Sequence, residues 1–225
     1  MMIISFYITY FKCKKINFES LNSSMNISTD PNVVFVSKLI SNFFNPFTSL
    51  VLYFIYFSYR NYNFLDSIYL FLPIFLIIIL PVSVWIFWNV KKGNYQNLDV
   101  SNRIKRKSLY IFINLAIFAY LLYDLFIKGN FDITIFYLLV LLIIMQLSNY
   151  FIKSSMHTAL NIFVSALFLS QNFWLGIFWI GISILVGISR IVVKRHTPKE
   201  VLMGSLLSTI VSFAYLYTFI QMQNG

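Results

Sequence analysis

Apolar stretches alternate with short polar ones from about residue 33 to the C-terminus. A bilayer core about 30 Å thick needs about 20 apolar residues per helical span. Most of these stretches have that length, so the pattern predicts an all-α, polytopic transmembrane helical bundle with six to seven spans. The predicted elements are an amphipathic lead-in at 33–44, spans at 46–59, 67–90, 108–127, 131–152, 173–193 and 201–220, and a shorter apolar segment at 158–169.

Composition supports the membrane prediction. The chain is 59% hydrophobic and 11% charged, whereas about 25% of residues are charged in typical soluble domains. We expect residues 33–225 to form a single membrane-embedded domain. Residues 1–32 are expected to be a disordered tail, and the polar Asn/Ser run before Met25 suggests Met25 as an alternative start to Met1.

Three polar islands, at 91–107, 153–157 and 190–200, lie at the ends of predicted spans. Between one island and the next the chain makes two crossings, so a hairpin separates each pair. All three islands are therefore expected on the same side of the membrane, where they can form one site. They are called the first, second and third island below.

The net charge of +10 belongs mainly to this side. Because the basic residues are confined to the ends of apolar segments, the charge points to anionic lipid headgroups or a phosphate-bearing substrate rather than nucleic acid. The positive-inside rule predicts that the islands are cytoplasmic. With a single cysteine, Cys13, the chain forms neither an intrachain disulfide nor a cysteine-based metal site.

The third island holds the strongest candidate chemistry. Arg190, His196 and Glu200 lie at spacings of six and four residues. Pro198 fits the first turn of a helix capped by Thr197. Glu200 then lies close enough to accept a hydrogen bond from one His196 nitrogen, which leaves the other nitrogen as a nucleophile. The Arg190 guanidinium matches phosphate oxygens.

The other two islands carry supporting candidates. In the second island, Ser155 and the backbone N–H groups of the following helix are expected to bind phosphate oxygens, with His157 as general acid. Lys153 is either a phosphate contact or an anchor at the membrane surface. In the first island, Arg103 and Arg106 share a helical face. Their alternative role is a solvated basic loop that binds anionic lipid.

These residues resemble motifs of the type 2 phosphatidic acid phosphatase superfamily. Ser189-Arg190, His196 and Glu200 follow the third motif, SRxxxxxHxxxD, with Glu for Asp. Residues 154–157, SSMH, keep the serine and histidine of the second motif, PSGH. The first motif, KxxxxxxRP, aligns on Arg106, with Asp99 at the lysine position and Lys107 at the proline position. The resemblance covers roughly residue 91 to the C-terminus.

The resemblance implies a metal-independent phosphatase, without cofactors, that acts through a phosphohistidine intermediate on a lipid phosphate or polyprenyl diphosphate. His196 is then the nucleophile, Glu200 its orienting acid and His157 the general acid. Arg106, Ser155 and Arg190 hold the phosphate, with Arg103 as a further candidate. A bacterial inner-membrane location is expected, although many bacterial relatives work on the outer face.

Two other functions remain open at the sequence level. The departures at Asp99 and Met156 favour a catalytically degenerate member that binds anionic lipid or a protein partner. A transporter or channel is less supported, because the predicted spans carry no charge near their middle apart from Asp124. Nothing in the sequence indicates the oligomeric state.

Overall fold

The computed structural model describes residues 30–95 and 103–224, with residues 103 and 104 in their backbone only. Within these ranges the chain is helical and without strands, which confirms the all-α prediction. The predictions for the N-terminal tail and for the start at Met25 lie outside the described residues. The helices are α1 Pro31–Phe43, α2 Pro46–Asn61, α3 Phe64–Lys91, α4 Arg103–Ile127, α5 Ile133–Phe151, α6 Met156–Gln171, α7 Phe173–Val192 and α8 Pro198–Asn224.

Five helices of the described chain are long and apolar enough to cross a membrane, namely α3, α4, α5, α7 and α8. The pair α1–α2 meets the same criteria jointly but is bent by 53° at its break. The count is therefore five, or six with the bent pair, at or below the lower end of the predicted six to seven. The surface agrees with a multi-pass membrane protein, because large apolar side chains such as Phe126, Phe151 and Trp174 are exposed.

Two helices begin earlier than their predicted spans on the side of the islands. Helix α4 begins at Arg103, five residues before the predicted span. Helix α8 begins at Pro198, three residues before its predicted span but at the position where Thr197 and Pro198 predicted a helix start. Hydropathy locates the part of a helix that lies in hydrocarbon. Lys and Arg are good helix formers that extend a helix beyond that part, so parts of the first and third islands belong to helices.

Helix α6 forms the centre of the bundle. It has 16 residues, about 24 Å at 1.5 Å per residue, and is shorter than a full crossing. It packs against α7, α8 and α2, and Ala159, Phe163 and Val164 are fully buried. The short apolar segment is therefore the core around which the longer helices pack, and its N-terminus is the second island.

Helix α1 turns its polar side inward. Ser37 and Ser41 are buried, while Phe35, Leu39 and Phe43 are exposed. The helix packs against α7, so its serines face the bundle and much of its apolar surface faces outward. This arrangement suits a surrounding of lipid.

Asn161 of α6 holds the corner between α1 and α2. Its amide nitrogen donates to the Phe44 carbonyl at 2.9 Å and to the His157 carbonyl at 2.8 Å. Its oxygen accepts from the Ser49 hydroxyl at 2.9 Å. One buried amide thus connects the corner of the N-terminal helices to the first turn of α6.

Helix α3 is peripheral. Its residues 75–79 form a π-helical turn between Pro73 and Pro81, which accommodates the two prolines without breaking the span. None of its residues is buried. Its main partner is α4, where Trp85 stacks on Phe112 with ring centroids 4.5 Å apart.

The prediction that Asp124 lies near the middle of a span is wrong. Asp124 lies in the last turn of α4, where its Oδ2 accepts from the Asp132 backbone N–H at 3.0 Å. Its Oδ1 lies 3.9 Å from Lys128 Nζ. Asp132 in turn caps α5 by accepting from the N–H groups of Thr134 and Ile135. These acids build the turn between two helices, so Asp124 gives no support to a transport pathway.

Candidate active site

The third island forms a tight connection between α7 and α8. The Arg190 carbonyl accepts from the backbone N–H groups of Arg195 at 3.1 Å and His196 at 3.2 Å. Lys194 has a φ of 57°, the left-handed conformation with which many helices end. The chain therefore folds back at once, and His196 is held by the backbone of the arginine that precedes it in the motif.

His196 and Glu200 form a direct pair. His196 Nδ1 lies 2.8 Å from Glu200 Oε2, and since a carboxylate only accepts, Nδ1 carries the proton. The same Oε2 accepts from the Thr197 backbone N–H at 3.2 Å, while the Thr197 hydroxyl accepts from the Glu200 N–H at 3.3 Å. This is a capping box at the start of α8. The longer side chain of glutamate thus serves the helix cap and the histidine together.

The environment keeps His196 neutral. The side chain is 5% exposed. Burial lowers its pKa most, and nearby Arg106, Arg190 and Lys153 lower it further, to about 2. The Glu200 carboxylate acts in the opposite direction, but the imidazole is uncharged throughout the physiological pH range. Its Nε2 therefore carries a lone pair.

The second island lies against the third. The Ser155 N–H donates to the Glu200 carbonyl at 3.0 Å, and the Lys153 ammonium donates to the Arg195 carbonyl at 3.4 Å. Helix α8 can approach the Ser155 backbone this closely because residue 204 is glycine. A Cβ at that position would lie 2.7 Å from the Ser155 carbonyl oxygen. Lys153 thus holds the loop of the third island, a role that neither of its two predicted alternatives describes.

Ser155 is the N-cap residue of α6. Its hydroxyl is buried and lies 3.0 Å from the Thr158 hydroxyl. The Ser155 side chain makes no capping hydrogen bond to the first turn of α6, and the N-terminus of a helix attracts anions. The Ser155 N–H itself is already bonded to Glu200, so the predicted backbone contribution to phosphate binding falls to later residues of this turn. His157 lies in that turn and is half-buried.

The first island contributes Arg106 to the same place. Its side chain is 4% exposed, and one guanidinium nitrogen donates to the Ser154 carbonyl at 3.4 Å. A buried Arg106 does not fit the alternative prediction, in which this residue belongs to a solvated basic loop. Arg103 lies one turn earlier on α4, but its side chain is outside the described residues. Asp99 also lies outside them.

Sequence reasoning missed Ser41 of α1, which contacts the predicted residue Arg190. Arg190 is 4% exposed, and its guanidinium donates to the Ser41 hydroxyl of α1 at 3.0 Å. Helix α1, which packs against α7, therefore covers part of the site beside Arg190. A signal for the inward face of α1 was the serine spacing: Ser37 and Ser41 are four apart and share one face of the helix.

All predicted site residues with described side chains thus lie at one end of the bundle. The arrangement presents a neutral imidazole nitrogen to a region of positive potential, which suits an anionic, electrophilic phosphoryl group. His157 is close enough to influence the pKa of His196. Among the described residues, no three metal-ligating side chains gather into a group.

Comparison with known proteins gives no relative. No family model, no curated protein and no solved structure matches the chain.

Proposed function

We propose that the protein is an integral-membrane phosphatase that hydrolyses a lipid phosphate or polyprenyl diphosphate through a phosphohistidine intermediate. The observation that carries the proposal is the His196–Glu200 pair at 2.8 Å, set among cations that depress the pKa of the histidine. The same residues carry the resemblance to the type 2 phosphatidic acid phosphatases.

In the first step, His196 Nε2 attacks phosphorus and the bond from phosphorus to the leaving oxygen breaks. The ring becomes cationic as the N–P bond forms, and Glu200, bonded at Nδ1, stabilises that charge. Arg106 and Arg190 neutralise the phosphoryl oxygens. Protonated His157 gives its proton to the leaving alkoxide or phosphate oxygen.

In the second step, water attacks phosphorus on the opposite side from His196. His157, now neutral, accepts the proton of that water. The N–P bond breaks and inorganic phosphate leaves, which restores neutral His196 and protonated His157. The residues of the site thus suffice for a complete cycle.

The membrane context favours a lipid substrate. The site lies at the ends of apolar helices, α4, α7 and α8 among them. A lipid phosphate delivers its headgroup at this depth while its tail stays in hydrocarbon. A soluble phosphate ester gains nothing from such a position.

The test is phosphate release by purified protein in detergent across a panel of lipid phosphates and prenyl diphosphates. His196→Asn keeps a donor toward Glu200 but removes the nucleophile, so we expect release to fall at least about 10³-fold. His157→Gln should lower it by about 10²-fold, the usual effect of a lost proton donor. Lys199→Gln, exposed one residue from Glu200, is the control. Turnover by His196→Asn at the wild-type rate would overturn the mechanism.

The metal-independent mechanism has its own check. Activity should be unchanged after treatment with EDTA, and a strict requirement for an added divalent cation would contradict it.

One observation favours a second candidate, a degenerate binder of anionic lipid. The Ser155 N–H is occupied by the Glu200 carbonyl, and Met156 replaces the glycine that the resemblance calls for. A binder releases no phosphate from any member of the panel. It still binds anionic lipid saturably, and this binding weakens in Arg106→Gln and Arg190→Gln.

A further inference from the structure

A crevice of about 460 Å³ lies between α6, α7 and α8. It has the size of a small-molecule site, which ranges from about 300 to 1,000 Å³. Its open side lies between α7 and α8, where its rim residues Ile184, Ile188 and Phe213 are exposed at 59%, 53% and 69%. The crevice therefore opens sideways, along the apolar faces of two helices that qualify as membrane spans.

Small residues make room for the crevice. Ser165, Ser183 and Ser205 line its three walls, and each hydroxyl donates to a carbonyl of its own helix, namely those of Ile162, Trp179 and Val201. Their hydrogen-bonding capacity is therefore partly used internally. The walls present mainly carbon to the space, although serine and threonine are frequent in them.

The crevice ends next to the candidate active site. The end of the crevice near the start of α6 is lined by Thr158, Gly187 and Val201. These three residues lie close together, because a Cβ on Gly187 would lie 3.2 Å from Val201 Cγ1 and 3.4 Å from Thr158 Cγ2. Thr158 is hydrogen-bonded to Ser155. Val201 directly follows Glu200. The apolar space therefore ends beside residues that contact, or directly follow, residues of the cationic site.

The crevice is long enough to extend through one leaflet. Along α6 it runs from Thr158 to Leu169 and along α8 from Val201 to Leu216, about 16 Å and 22 Å at 1.5 Å per residue. Half of a hydrocarbon core about 30 Å thick is about 15 Å. A chain whose phosphate lies beside Arg190 and His196 would therefore run along the crevice to about the bilayer midplane.

We infer that this crevice, hereafter the tail crevice, holds one hydrocarbon chain of the phosphate-bearing substrate, which enters sideways between α7 and α8. The inference rests on the proposed function. It identifies the substrate class as an amphiphile whose phosphate is attached close to a long, flexible chain. The positive charge that complements a phosphate lies beside the end of the crevice next to the candidate site, and no charged residue of the described chain lines the crevice itself. The hydrocarbon chain is therefore oriented with its phosphate toward His196.

The energetic role of the tail crevice is alignment. Lipid tails are as apolar as the crevice walls, so moving a chain from the bilayer into the protein gains little hydrophobic free energy. A chain that fits instead fixes the position of its headgroup. A displacement of about 1 Å at a reacting centre costs about 10²-fold in rate.

The first test fills the crevice in its middle. Thr209 is half-buried and lines it, whereas Ile210 on the adjacent face of α8 is 59% exposed. We expect Thr209→Phe to lower kcat/KM for dipalmitoyl phosphatidic acid, relative to the dibutyryl analogue, by about tenfold or more. Ile210→Phe should leave this ratio unchanged. Equal ratios in Thr209→Phe and wild type would overturn the inference.

The second test does not depend on turnover. His196→Asn protein in nanodiscs is irradiated with a phosphatidic acid that carries a diazirine at mid-chain, and the labelled peptides are mapped. We expect label on the inner walls, at Ser183 and Thr209, and its loss in Thr209→Phe. Label spread evenly over exposed residues such as Ile210 would refute the tail crevice.

The two failures are distinguishable. If wild type releases phosphate from neither the long-chain nor the short-chain substrate, the proposed function fails, and labelling alone decides whether the crevice holds a chain. If both substrates are hydrolysed and the chain-length ratio does not respond to Thr209→Phe, the proposed function stands. Labelling of the walls in that case identifies a structural lipid only, which also overturns the inference.

Discussion

The two ends of the bundle both contain buried charge, but they are built differently. At the far end, Asp124, Lys128 and Asp132 interact within one turn of the chain, and their hydrogen bonds serve the backbone that joins α4 to α5. At the site end, the contacts join distant parts of the sequence: Arg106 reaches residue 154 and Arg190 reaches residue 41. The charged residues at the far end thus stabilise a turn between two consecutive helices. Those at the other end come from several helices and line the candidate site.

The largest expected difference between the ends concerns Arg190. If it holds a phosphoryl group, Arg190→Lys loses the guanidinium fork and should lower turnover by about 10²-fold, although the charge remains. Lys128→Gln at the far end should leave turnover within about twofold of wild type, as expected for a partly exposed ion pair. Phosphate release per folded molecule measures both. Similar losses at the two ends would remove the distinction.

The next expected difference is in the response of stability to pH. The unfolded His196 titrates near pH 6.5 and the folded one at about 2, so below pH 6.5 the unfolded state binds more protons and the free energy of unfolding falls as pH falls. Between about pH 6.5 and pH 5 the loss is up to about 2 kcal/mol. Thermal unfolding in detergent at both pH values measures it.

The variant His196→Asn serves as the control for this pH effect. It should lose less stability than wild type over the same interval, since asparagine does not titrate. Parallel pH profiles for wild type and variant would show that His196 is not held neutral in the folded protein.

A smaller effect is expected where α8 approaches the second island. Gly204→Ala places a methyl group against the Ser155 backbone and should displace Glu200 and Ser155 relative to each other. We expect a loss of about tenfold in turnover. Gly181→Ala provides the matched control, since a Cβ there meets nothing within 4 Å. Unimpaired turnover in Gly204→Ala would show that this close approach is not needed.

The smallest expected effect belongs to the far end. Asp132→Ala removes the cap of α5 and should cost about 1 kcal/mol in the free energy of unfolding, measured by denaturation in detergent. Asp132→Asn keeps the cap and should cost less. Turnover per folded molecule should match wild type in both, and a selective loss of turnover would assign the far end a catalytic role.

The sequence predicted the parts of the molecule that follow from local pattern. Hydropathy located the helices, and the alternation of islands and hairpins placed Arg106, Ser155 and His196 on one side. The spacing of residues 196–200 implied the His196–Glu200 contact and the cap at Thr197. Such features depend on periodicity and on residues within about one helical turn, which a single sequence records.

Long-range pairing was not predictable in the same way. Nothing local indicates that Ser41 would meet Arg190 or that Asn161 would hold the corner after α1. The N–H of Ser155 looked available for phosphate because its partner, the Glu200 carbonyl, is distant in sequence. The central position of α6 also depends on packing, since a short apolar segment by itself fits a partial span or a core helix.

The contact between α1 and Arg190 limits how early in translation this part of the protein can be assembled. Ser41 is made 149 residues before Arg190, and at about 5 to 20 residues per second this interval lasts about 7 to 30 s. Ser41 lacks Arg190 during that time, so this contact between α1 and α7 forms only after α7 has been made. The wall that α1 adds to the candidate site is therefore completed only after the third island has been made, late in synthesis. Stalled nascent chains with cysteine at position 41 should be labelled by a thiol reagent until the third island has emerged.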